Sequence, residues 1–312
     1  MKPEIVVMNF THVYEQERFL SNSHFCCIDC TDLNGTDCYC DAEAADALRR
    51  RMKPYSPHGL HFIDSGNYHY VSKFWTDKIS EPFSMVVFDH HPDMQPSLFD
   101  EMLSCGSWVK TMLDTNKFLR KVLIVGAADR LIRAVPDEYR DRVKFYGESS
   151  LEHAEAWRKF SAEHVDEPVY ISVDKDVLNT DSAVTNWDQG SLSLASLESL
   201  LSIILRNENV IGIDVCGECT PSLDLLTNSA ALVLTARPIT SFCLFIADLL
   251  LPVDGPAVCL YLCVDFMQCR AVLSQISMLS RPVFPVVRIF RNPVLPVYKF
   301  PICRLRTCIA WQ

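Results

Sequence analysis

The sequence predicts an α/β fold, a three-layer sandwich with a central, mostly parallel sheet and helices on both faces. Short apolar runs recur from residue 4 to residue 216, among them "EIVVMNF", "MVVFDHH", "KVLIVGAAD", "PVYISVDKD" and "VIGIDVCGE". Segments between several of them have helical spacing. The runs themselves are nearly uninterrupted, without the polar alternation of a sheet that keeps one face wet, which points to strands covered on both sides.

Taken in order, "EIVVMNF" and "FCCIDC" read as the first strands. The cysteines continue into "CCIDCTDLNGTDCYCD", where Cys27 and Cys30 form C-x-x-C and Cys38 and Cys40 form C-x-C. The second spacing does not match the paired knuckles of common zinc sites, so this stretch reads as a strand and a turn at Asn34-Gly35. Asp41 precedes "AEAADALRRRM", acidic early and basic late as the helix dipole favours. "DSGNYHYVSKFW" puts His69 after a Gly-Asn turn at a helix start, and "RVKFYGES" adds a strand. Leu194, Leu197, Leu200, Leu201, Ile204 and Leu205 fall at helical intervals behind Ser193, a capping residue.

The 312-residue chain carries a formal charge of -10, which argues against nucleic acid or an anionic membrane as partner. No apolar leader follows the N-terminus, so a cytoplasmic location with the 14 cysteines as free thiols is expected. The sequence leaves the oligomeric state open, a homo-oligomer included. From about residue 233 it changes abruptly. The last 80 residues hold no Glu, three Asp, one Lys, seven Arg and eight Pro. An ordinary helix needs acids and bases on its wet face, so residues 1–232 are expected to form the domain. Residues 233–312 are expected to be an irregular tail from a shifted frame or a fusion. Its apolar run is broken by Asp248, Pro252, Asp254 and Pro256, so no membrane segment is expected.

The chemistry gathers at strand ends, where functional groups of parallel sheets collect. In extended chain, residues two apart face the same way, so Asp89, His91 and Asp93 share a side and His90 points elsewhere. Asp174 and Asp176 repeat the period at the end of "VYISVD". Several carboxylates around an imidazole repel one another unless cations sit among them. Oxygen-rich ligation with some imidazole suits Mn²⁺ better than a thiolate-loving ion.

These residues resemble the arginase/agmatinase (ureohydrolase) family. Its D-x-H-x-D is similar to Asp89-His91-Asp93, its S-x-D-x-D to Ser172-Asp174-Asp176, and its G-G-D-H to "GNYH" ending in His69. Its D-x-x-E-x-x-P resembles "DVCGECTP" with Glu218 and Pro221, although one extra residue separates Asp214 from Glu218. The resemblance implies an arginase-like fold with two manganese ions, one held by His69, Asp89, Asp93 and Asp174, the other by Asp89, His91, Asp174 and Asp176. Asp89 and Asp174 would bridge. It also implies hydrolysis of C–N bonds in a small cationic guanidine- or amidine-type substrate by hydroxide shared between the metals. Asp93 would orient that nucleophile, and Glu218, if it faces the cleft, would pair with the substrate's cationic head.

The chain departs from the family in two places. The segment that carries a relay histidine in arginases reads "LSCGSWVK", and "NTDSAVTNWDQGSLSL" lacks the family's Gly-Gly. Trp187 and Asp188 lie there, readable either as cation binders or as a packed Trp beside a capping Asp. Asp89-His90-His91 also resembles the DHH manganese phosphoesterases. That reading lacks the upstream D-x-D and the Gly-rich motif and gives Asp93, Asp174 and Asp176 no role. Histone-deacetylase-like enzymes share the architecture but use one zinc, which would not need His69, Asp93 and Asp176 together. A non-catalytic metal-binding protein of the same fold is the remaining alternative.

Overall fold

A computed structural model describes residues 4–16, 25–97 and 102–220. The expectations for residues 233–312, and Pro221, lie outside the described residues. Eight strands form one parallel sheet: β1 (Glu4–Asn9), β2 (Phe25–Asp29), β4 (Gly59–Phe62), β5 (Phe83–Phe88), β7 (Leu119–Val125), β8 (Val143–Tyr146), β9 (Val169–Asp174) and β10 (Val210–Cys216). Their order is β2-β1-β4-β10-β9-β5-β7-β8, and every pairing is parallel. The short strands β3 (Tyr39–Cys40) and β6 (Leu103–Ser104) pair separately and antiparallel.

Alternation along the strands divides the core into two layers. Val6, Met8, Met85, Val87, Tyr170 and Cys216 face one side, against α1 (Ala42–Met52), α2 (Val71–Thr76) and α3 (Trp108–Thr115). Val7, Val86, Phe88, Ile171, Val173, Ile213 and Val215 face the other. There they meet α5 (Glu148–Leu151), α6 (Ala154–Ser161) and α7 (Leu194–Asn207) through Leu151, Phe160, Leu197, Leu200, Leu201 and Ile204. A seventh helix, α4 (Asp129–Ile132), follows β7. This is the sandwich expected from the uninterrupted apolar runs.

Local capping follows the sequence. Asp41 Oδ1 accepts from the Ala44 N–H at 2.8 Å, and Ser193 Oγ accepts from the Ser196 N–H at 3.2 Å. Each satisfies a donor that the first helical turn would leave open, typically at about 1 kcal/mol. Cys30 and Cys40 are buried in the core on the α1 side. Among the described residues, no helix is long and apolar enough to cross a membrane.

Candidate metal centre

β10, β9 and β5 are neighbours at the centre of the sheet, and their carboxyl ends supply most of the site. The register sets Asp214 beside Ser172 and Cys216 beside Asp174, while Ser172 lies beside Val87 of β5. Asp89 and Asp174 therefore emerge side by side, on the parity that faces α1, α2 and α3.

The strand does not continue through the first motif as the period of two supposes. β5 ends at Phe88, and Asp93 adopts a left-handed backbone with φ of 51°. Non-glycine residues rarely adopt this conformation, and short polar Asp is among those that tolerate it best. That turn brings the Asp93 carboxylate to the site. Its Oδ2 accepts from the Trp108 indole N–H at 2.6 Å, and its carbonyl accepts from the Val109 N–H at 3.2 Å at the start of α3.

His69 closes a 3₁₀ turn over Gly66–Tyr68 just before α2. The loop is fixed from below by Asp64. The carboxylate of Asp64 accepts from the N–H groups of Phe10, Thr11 and Ser65 at 2.8, 2.9 and 2.7 Å and from the Thr11 hydroxyl at 2.7 Å. His69 Nδ1 lies 3.0 Å from Asp89 Oδ2, 3.2 Å from Asp93 Oδ2 and 3.5 Å from Asp174 Oδ2. Its Nε2 is 2.9 Å from Ser172 Oγ, and that hydroxyl donates to Asp214 Oδ1 at 2.6 Å.

On the opposite side of Asp89, His91 Nδ1 is 2.9 Å from Asp176 Oδ2 and 3.5 Å from Asp89 Oδ1. Its Nε2 is 3.0 Å from Asp188 Oδ1, and Arg130 donates to the other oxygen of Asp188 at 3.0 Å. Each imidazole thus turns one nitrogen inward and hands the other to a hydroxyl or carboxylate, the outer support that orients metal-binding histidines. His90 points away, as expected, with its Nε2 3.9 Å from Asp188 Oδ2.

Two groups of ligand atoms result, His69–Asp89–Asp93 and Asp89–His91–Asp176, each with its atoms within 4.8 Å of one another. Asp89 belongs to both. Asp174 falls in a third group with His69 and Cys216. All six residues expected as ligands are brought together, with Asp89 the shared one.

The donor set fits cations. His69 is buried, and its Nδ1 faces three carboxylate oxygens yet has no aligned hydrogen-bond partner. That is the arrangement of a ligand atom around a positive ion rather than of a donor matched to an acceptor. The proton affinities agree. Burial, and then the neighbouring charge of Asp89, push Asp93 up to about 7. Burial and the charge of Asp174 hold Asp176 well above the usual carboxylate range. Burial disfavours a charged His91, but the contacts with Asp176 and Asp89 outweigh it and raise the group to about 12.

Glu218 stands apart from this cluster. Gly217, one of the three residues between Asp214 and Glu218, adopts φ of 92°, and a Cβ there would lie 2.4 Å from Asp174 Oδ1. Beyond that turn Glu218 is buried and accepts from the Lys175 ammonium, which is itself buried. Lys175 opens a 3₁₀ turn over Lys175–Val177 that follows β9, and its ammonium goes to Glu218 rather than to the ligand cluster. The substrate-pairing role expected of Glu218 therefore meets a cation already supplied by the chain. At the mouth, Trp187 is 38% exposed, its indole N–H donating to Asn67 Oδ1 at 2.8 Å and its ring 5.9 Å from that of His91.

Three supporting features were not read from the sequence. They are the Ser172–Asp214 link behind His69, the Asp188–Arg130 link behind His91, and Cys216. Only the last had a visible signal, because Asp214 and Cys216 stand two apart on a strand, the same alternation that singled out Asp174 and Asp176.

The family model described as Arginase family matches residues 15–240. The chain belongs to the arginase family. An uncharacterized protein of Thermotoga maritima is 31% identical over 220 residues, covering 70% of this chain and 81% of its own length. Among solved structures, a Trypanosoma cruzi formiminoglutamase with Mn²⁺ aligns with a TM-score of 0.57 at 15% identity, covering 78% of this chain and 94% of that one. Proclavaminate amidino hydrolase from Streptomyces clavuligerus aligns with a TM-score of 0.56 at 16% identity, covering 78% and 91%. At such identity these two show the fold alone. This arginase-family chain is a divergent member whose apolar runs marked seven of the eight strands of the parallel sheet, β4 (Gly59–Phe62) being the one not read.

Proposed function

We propose that this protein hydrolyses a C–N bond of a small guanidino, amidino or formimino compound, using two divalent cations with Mn²⁺ foremost. The observation that carries the reading is the sharing of Asp89 between two ligand groups, each completed by an inward-facing imidazole. His69, Asp89 and Asp93 would hold one cation and Asp89, His91 and Asp176 the other, with Asp174 beside His69. Such a pair, when bound, supplies the positive charge that brings the pKa of water toward about 7 and stabilises negative charge developing on the substrate.

The remaining roles fall to the chain. Asp93, one of its oxygens held by the Trp108 indole, would accept a hydrogen bond from the attacking water and fix its lone pair toward the substrate carbon. Attack forms the C–O bond, and collapse of the tetrahedral centre breaks the C–N bond and releases an amine that must gain a proton. No relay histidine occupies the segment around Trp108, so that proton would come from solvent through the open side near His91, or from Asp93 itself. Trp187 and the carboxylate of Asp188 would bound the entry and favour a planar cationic head. The Lys175–Glu218 pair lends the inner wall a neutral balance and disfavours a second cationic group there.

Elemental analysis of the purified protein, followed by a screen of guanidino, amidino and formimino compounds for urea, ammonia or amine release, tests this reading. Metal without turnover of any such compound favours the non-catalytic alternative. Turnover of a phosphodiester instead favours the phosphoesterase reading.

A further inference from the structure

We propose that Cys216 is a metal ligand. On this assignment, the cation position beside His69 and Asp174 has a nitrogen, oxygen and sulfur donor set that favours a thiophilic divalent ion over Mn²⁺. This inference rests on the two-cation reading of the site and specifies the chemistry of one of its positions.

Three observations converge on the thiol. Cys216 ends β10 directly beside Asp174 in the sheet register, and its Sγ lies 3.2 Å from Asp174 Oδ2. His69, Asp174 and Cys216 offer ligand atoms within 4.8 Å of one another, and all three residues are buried. The third observation is independent of the cysteine. His69 Nδ1 is buried without an aligned hydrogen-bond partner, and the same nitrogen faces Asp174 Oδ2 at 3.5 Å. This is the cation that Asp89 and Asp93 also face through the same His69 nitrogen, and the second stays with Asp89, His91 and Asp176, so Asp89 remains shared.

Strand parity brings the thiol to the site, and the turn after it leaves it there. Asp214 and Cys216 lie on one face of β10, Asp214 supporting His69 through Ser172 and Cys216 reaching the ligand cluster. Gly217 then turns the chain in a left-handed conformation that a side chain would obstruct, because its Cβ would sit 2.4 Å from Asp174 Oδ1. The strand can thus end with its sulfur inward while Glu218 goes to Lys175. Thiolate is a soft donor that selects Zn²⁺ and its neighbours, whereas an all-oxygen and imidazole set suits Mn²⁺. N/O/S sites generally bind Zn²⁺ more tightly than Mn²⁺. The informative quantity is therefore how far that preference depends on Cys216.

The test loads metal-free full-length protein with Co²⁺, whose visible bands report binding and whose near-ultraviolet sulfur-to-cobalt charge transfer reports thiolate ligation. Wild type should show both. Cys216→Ser should keep visible bands from the remaining position and lose the charge-transfer band, whereas Cys105→Ser, altering another thiol near the cluster, should keep both. The Zn²⁺-over-Mn²⁺ preference measured by competition should fall in Cys216→Ser by a factor on the order of 10 to 100, the range seen when metal-site partners are removed. X-ray absorption on Zn²⁺-loaded wild type needs no variant and should find a sulfur neighbour at about 2.3 Å. Bound Co²⁺ without charge transfer, a band that survives in Cys216→Ser, or a zinc shell without sulfur overturns the assignment and leaves the two-cation reading standing. Failure to bind Co²⁺, Zn²⁺ or Mn²⁺ overturns both.

Discussion

Asp89→Asn is the perturbation that bears most heavily on the site. Asp89 Oδ2 lies 3.0 Å from His69 Nδ1 and its Oδ1 lies 3.5 Å from His91 Nδ1, so one carboxylate serves both ligand groups. An amide keeps the shape but removes the charge and points an NH₂ at one imidazole. At a hundredfold excess of metal over its dissociation constant, one occupied position stabilises the native state by about 2.7 kcal/mol. For a domain of this size each kcal/mol moves the melting temperature by about 2–4 °C, so one position contributes roughly 5–11 °C. Asp89→Asn, which takes a ligand from both positions, should lose the shift of both and all bound Mn²⁺. Asp176→Asn, which touches only the His91 group, should keep the part that comes from the His69 position. The assay is the melting temperature of each variant with and without Mn²⁺, read as a difference so that any change in metal-free stability cancels. If Asp89→Asn keeps the full shift, or Asp176→Asn loses as much as Asp89→Asn, the shared-carboxylate reasoning is refuted.

Other outcomes follow from single contacts. His61 is buried, stacked 3.8 Å from Trp75, and held neutral by burial, which pushes its pKa down to about 3. A histidine depressed in the folded state contributes stability above its unfolded pKa, and that stability is lost as pH falls, here between about 6.5 and 3 at up to about 1.4 kcal/mol per pH unit. His61→Gln should flatten the acid limb of thermal stability measured from pH 7 to 5, and an unchanged limb counts against the assignment. Gly217→Ala forces a side chain toward Asp174 in a backbone region unsuited to it and should lower metal content as well as stability. Normal content and melting would show that the turn is not strained. Asp188→Asn should weaken the His91 position by a factor on the order of 10 to 100, seen as loss of one of two Mn²⁺ ions on dialysis. Trp187→Ala, at an exposed position, should leave stability within about 0.5 kcal/mol while raising KM more than it lowers kcat. Equal kinetics in that variant remove Trp187 from the entry.

The sequence made much of this legible because its signals were local. Uninterrupted runs such as "MVVF" and "VYISV" mark strands buried on both faces, and the period of two at their ends marks Asp174 and Asp176 as companions. The same period selects Asp89, His91 and Asp93, but they converge through the left-handed turn at Asp93 rather than through a longer strand, and periodicity does not report such a turn. The pairings that tune the site are non-local. His91 meets Asp188, Ser172 meets Asp214 and Lys175 meets Glu218, each across a sheet crossover or loop whose path depends on packing. Resemblance assigned Glu218 to a substrate. In the structure Glu218 accepts from Lys175, the residue between Asp174 and Asp176, a residue type that a D-x-D pattern leaves unspecified.

The central claim is that two cations sit together, joined by Asp89. Electron paramagnetic resonance of the Mn²⁺-loaded protein, taken with elemental analysis on the same sample, tests it most directly. Two ions per chain with the broadened, exchange-coupled spectrum of a spin pair is the predicted result. Two ions giving only the sharp hyperfine pattern of isolated Mn²⁺, or a single ion at saturation, would contradict it.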